Sequence, residues 1–107
     1  MKLVLAIVSN DDSASVSSAL TRNGFQVTKL ATTGGFLMAG NTTFLTGVED
    51  DQVDKVLEVI AEKSSKRTQI VPSTTTADVG MYSAFPVQVT VGGATVFVMN
   101  VERYEKV

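Results

Sequence analysis

Leu3 to Val8 (LVLAIV) is an uninterrupted apolar run of strand length, rich in branched side chains and with no polar position to mark a wet face. Alternate residues of a strand point to opposite sides, so a run without alternation demands cover on both. Such a strand belongs in the middle of a sheet, and the rest of the chain must supply what lies beside, above and below it. With 107 residues and 44% hydrophobic content, residues 1–107 make one domain with a single core.

The elements that follow are read from period and punctuation. Ser9, Asn10, Asp11 and Asp12 can accept hydrogen bonds from free helix N–H groups, Val16, Ala19 and Leu20 recur at helical spacing, and Gly24 closes the first helix. Phe25 to Leu30 alternates as a second strand, with Gln26, Thr28 and Leu30 on one face; Thr42 to Val48 is a third, interrupted by Gly47. Glu49 to Asp51 open a second helix, in which Val53, Val56, Leu57, Ile60 and Ala61 form the strongest apolar stripe in the chain. Residues 64–84 have a weak pattern that suggests a long loop. Val87, Val89 and Val91 then alternate, Gly92-Gly93 makes a turn, and Thr95 to Val101 is the matching strand of a hairpin.

Strand, helix, strand, strand, helix, loop and hairpin fold most economically as a ferredoxin-like α+β domain, β-α-β-β-α-β with a C-terminal hairpin, both helices on one face of an antiparallel sheet. The other face is then bare, although Leu3 to Val8 requires it covered. A further copy of the same chain is the expected cover, so a homo-oligomer follows.

Composition excludes several chemistries. Zero His and zero Cys remove the usual zinc and copper ligands, disulfides and the common nucleophile–base pairs, so no metal and no cofactor is expected and an enzyme is disfavoured. A net charge of −2, from 9 basic and 11 acidic residues, does not suit a grip on a nucleic-acid polymer. The basic cluster Lys63, Lys66 and Arg67 reads as charges favouring a helix C-terminus. No run of about 18 apolar residues suggests a membrane span, and the early acidic residues argue against a signal peptide, so a cytoplasmic location is expected.

Thr28 to Gly47 (TKLATTGGFLMAGNTTFLTG) mixes glycines, hydroxyls and bulky apolar residues without a clean period. Gly35 to Thr42 has the glycine spacing of a phosphate-binding P-loop, but Asn41 stands where the lysine must be and no helix follows. Phe36, Leu37 and Met38 fit either a subunit interface or a platform for a nucleobase whose edge Asn41 would read. Tyr82 and Tyr104 read as rim or packing residues.

The blocks TKLATTGGFL, AGNTTFL-x-GV and VGGATVFV together resemble the PII-like cyclic di-AMP receptors of Gram-positive bacteria, over nearly the whole chain. The resemblance implies a homotrimer of ferredoxin-like subunits, no catalysis, one cyclic di-AMP in each cleft between neighbours, and a ligand-responsive loop here spanning 65–85 that signals to an unidentified protein target. Position by position, Thr28 resembles a phosphate contact, Gly35, Phe36 and Leu37 the loop against the ligand, Asn41 and Gly47 the surroundings of one adenine, and Phe97 a pocket aromatic. Gln26 stands where the family commonly has Arg, Gly24 where it commonly has Asn, and Ser73 to Thr76 where it has Pro-Met-Gly-Gly. A neutral bond from Gln26 in place of a charge-assisted one is weaker by about 1–2 kcal/mol, roughly five- to thirty-fold in affinity.

Overall fold

A computed structural model describes residues 1–30, 40–72 and 86–107. β1 (Lys2–Ser9) leads into α1 (Asn10–Arg22), whose N-cap Ser9 accepts a bond from the Asp11 amide. The Phe25 amide returns to the Leu20 carbonyl at 3.0 Å across Gly24, whose φ of +88° suits a residue without a side chain. β2 (Thr28–Leu30), β3 (Asn41–Val48), one 3-10 turn (Asp50–Gln52) and α2 (Val53–Ser64) follow. The chain continues with β4 (Arg67–Pro72), β5 (Pro86–Val91) and β6 (Ala94–Asn100).

The main sheet has the order β2-β3-β1-β6 and is antiparallel at every pairing. With β6 as the fourth strand this is the ferredoxin-like split β-α-β arrangement, and β1 sits inside the sheet as its apolar run requires. Both helices cover one face. Val4, Ala6 and Val8 of β1, Val16, Ala19 and Leu20 of α1, and Val56, Val59 and Ile60 of α2 make the core, together with Phe25, Phe44 and Val48. Within the α2 stripe the buried side is turned toward Val59; Leu57 is half-buried and Ala61 exposed.

Three sequence expectations need correction. The second strand is shorter than Phe25–Leu30 because Phe25 is drawn into the core and the Gln26 carbonyl accepts the Thr46 hydroxyl at 2.6 Å in place of a ladder bond. The C-terminal hairpin does not form: β5 pairs with β4, from Arg67↔Val91 to Pro72↔Pro86, while β6 pairs with β1. Gly92 and Gly93, at φ +83° and +86°, carry the chain from one sheet to the other. The β1 edge decides the outcome, since Val98, Phe97 and Val96 pair there with Val4, Leu5 and Ala6 and close the apolar strand on its second side. β4 also occupies the start of the expected long loop; the remainder, 73–85, lies outside the described residues.

The root of the β4–β5 pair is fastened to α1. Arg67 donates through Nη2 to Asp12 Oδ1 at 2.7 Å and through Nη1 to Asp12 Oδ2 at 3.3 Å, and also to the Ser65 carbonyl at 3.2 Å. The Asp12 carboxylate is buried, and its bonds to the guanidinium raise the Arg67 pKa above its usual value.

Candidate functional site

The register of the sheet defines its uncovered face. Leu3, Leu5 and Ile7 point away from the helices and are only half-buried. Thr28 faces Leu45, Leu45 faces Leu5 and Leu5 faces Phe97, one row across all four strands. Phe97 is 50% exposed and its face-neighbour Met99 40%. An apolar row of this kind at the surface is what an additional chain or a ligand would cover.

Gln26, Thr28 and Gly47 meet at one end of this face. With Met1, Leu3, Leu45, Val101 and Tyr104 they line a pocket of about 510 Å³. The walls carry an amide, two hydroxyls and apolar surface, with no charged side chain among the described lining residues. Gly47 has ordinary strand backbone, and a Cβ placed on it would meet only Met1 Cε at 3.7 Å. The chain's own fold therefore does not require glycine at this position, and its effect is to leave the floor of the pocket open. The tail enters because the Val101 amide donates to the Met1 carbonyl at 3.2 Å. On the rim of this end, the Met1 ammonium lies 2.9 Å from Asp50 Oδ1, and that bond holds the Asp50 carboxyl below its ordinary pKa.

The other sequence-matched positions fall elsewhere. Asn41 pairs with Ser9 at the far end of β3, four residues from Leu45 and so about 13 Å along the strand. There it lines a second pocket of about 300 Å³ with Ile7, Ser9, Lys66, Gly92, Gly93, Ala94 and Thr95. Phe97 lies three strands from Thr28, about 14 Å across the sheet, and does not line the Thr28 pocket. Gly35, Phe36 and Leu37 fall outside the described residues.

The sequence reads Tyr104 as a rim or packing residue and gives Met1, Leu3 and Val101 no role in a pocket. The parity that put Gln26 with Thr28 has no counterpart in the tail, where Tyr104 follows the last strand without a period. Only the β1–β6 register, which sets the tail beside the N-terminus, brings these groups to the site.

The model of one protein family, the cyclic-di-AMP receptor, matches residues 1–107. The chain belongs to the cyclic di-AMP receptor family. A solved structure of a functionally unknown protein from Pediococcus pentosaceus is similar over 99% of this chain and 96% of its own, at 42% identity and a TM-score of 0.77. Family membership gives the chain a ligand class, a dianion with two purines, and supports a role in signalling by binding. Among the described residues no cluster of His, Cys, Asp or Glu suits a metal ion, and no helix is long and apolar enough to cross a membrane.

Proposed function

We propose that this chain is a non-catalytic cytoplasmic sensor that binds cyclic di-AMP in clefts between the subunits of a homotrimer and passes the signal to a protein target through loop conformation. The observation that carries this reading is the meeting of Gln26, Thr28 and Gly47 in a single pocket on an apolar sheet face that no helix among the described residues covers. Hydroxyls and amides suit phosphate oxygens and base edges, and Leu3, Leu45 and Tyr104 offer surface to a purine. A cyclic trimer joins one part of the surface to a different part of the next copy, so the Thr28 end of one subunit meets other residues of its neighbour. This arrangement gives Phe97 a place in a ligand site that its own chain's Thr28 pocket does not offer. Gly35, Phe36 and Leu37 complete the ligand wall in this reading.

Titration calorimetry with cyclic di-AMP, cyclic di-GMP, ATP and AMP tests it. Saturable heat with cyclic di-AMP at micromolar concentrations is expected, and the absence of heat at high micromolar concentration refutes it.

A second reading is supported by Gln26, a neutral amide, standing in the Thr28 pocket among described lining residues that include no charged side chain. In that reading the protein is an interaction module whose nucleotide preference has moved to ATP or vanished. Stronger heat with ATP, or partner capture indifferent to every nucleotide, would favour it.

A further inference from the structure

The basic residues at the end of α2 have three different fates. Arg67 is committed to Asp12, and Lys63 lies 3.9 Å from Glu62 Oε1 on the surface. Lys66 forms no ion pair among the described residues and lines the pocket that contains Asn41. Its stem is laid against the backbone: a Cβ on Gly93 would come within 2.9 Å of Lys66 Cγ and 3.4 Å of its Cε. Gly93 thus gives the aliphatic chain a groove to follow, so the stem stays in contact with protein while the ammonium at its end is left free to move.

We propose that Lys66 is a ligand-binding residue that meets a phosphodiester of the cyclic dinucleotide in the Asn41 pocket. The inference rests on the receptor reading above and adds to it the charge that the Thr28 pocket lacks. A doubly anionic ligand gains little from neutral donors alone, because it must give up strongly held water to reach them. Among the described residues Lys66 is the only charged side chain lining either pocket, the Met1 ammonium at the other end being paired with Asp50, and the Ser9 and Thr95 hydroxyls and the Asn41 amide stand around the same space as Lys66. A mobile ammonium with three donors suits a phosphodiester whose exact seat is set by the purines. The Asn41 pocket lies on the same sheet face as the Thr28 pocket, so the two belong to one ligand-covered surface.

Calorimetry with cyclic di-AMP on the full chain at about 50 and about 300 mM NaCl tests this, using wild type, Lys66→Gln, Lys66→Arg and Lys63→Gln. Lys66→Gln is expected to bind roughly five- to thirty-fold more weakly and to lose much of the salt dependence, Lys66→Arg to recover most of both, and Lys63→Gln to match wild type. Melting temperature should not move in any variant, because Lys66 and Lys63 hold no buried partner. Binding by Lys66→Gln equal to wild type in strength and salt dependence overturns the proposal and leaves the receptor reading intact. Equal weakening by Lys63→Gln also overturns it, since that would report only general charge. No heat with wild type removes the receptor reading, and this inference with it.

Discussion

At the scale of single residues, Gln26 holds the most accessible part of the argument. Its backbone is fixed by the Thr46 hydroxyl while its side chain is exposed in the pocket beside Thr28, so changing the side chain leaves the fold alone. Gln26→Arg is expected to tighten cyclic di-AMP binding roughly five- to thirty-fold by converting a neutral donor into a charged one. Calorimetry that finds equal or weaker affinity would mean that the phosphate does not lie on this side of Thr28. Asp50 supplies a pH prediction on the rim. Its folded pKa is lowered, chiefly by the bond from the Met1 ammonium, so its stabilising contribution is present above the ordinary aspartate value near 4 and is lost as pH falls through the lowered value. Urea unfolding should therefore separate wild type from Asp50→Asn slightly at pH near 6, with the gap closing in acid; the effect is small because the pair is exposed. A gap that widens in acid would contradict the assignment.

At the scale of elements, much of the main sheet was legible and the β4–β5 pair was not. The apolar run of β1 announced a central strand, and the stripes of α1 and α2 announced the helices on one face, because burial forces a period on residues that share it. The parity of Gln26 and Thr28 was legible for the same reason. Gly92-Gly93 misled because two residues at positive φ have the same sequence signature whether the chain doubles back or crosses to another sheet. The deciding contacts, Phe97 with Leu5 and Val98 with Val4, are more than ninety residues apart in sequence and leave no local trace. The structure makes Gly92 a packing requirement: a Cβ there would come within 2.6 Å of Arg67 Nη1 and of the Ser65 carbonyl. Gly92→Ala should cost about 2–4 kcal/mol from left-handed backbone and overpacking together. Gly47→Ala, with only an ordinary contact to Met1 Cε and no left-handed backbone, should cost less than about 1 kcal/mol while weakening ligand binding. Urea unfolding checks both, and equal losses would show that the crossing at Gly92 is not held as tightly as its neighbours indicate.

At the scale of the whole molecule, one face of the sheet is closed by helices and the other is left as the row Thr28, Leu45, Leu5 and Phe97. Among the described residues, the requirement that β1 be covered on both sides is met on one side only. Phe97 is half exposed in the single subunit, so Phe97→Glu should leave the subunit folded and drive a trimer toward monomers, measured by sedimentation velocity. An unchanged sedimentation coefficient would place the interface away from this face. The ligand and the assembly then test one another, because a site shared between subunits binds only what the assembly presents. Native mass spectrometry of the 11.4 kDa chain with cyclic di-AMP reads both at once. A species of three chains that takes up as many as three ligands is expected; a monomer, or a trimer that takes up none, would contradict the proposed shared site.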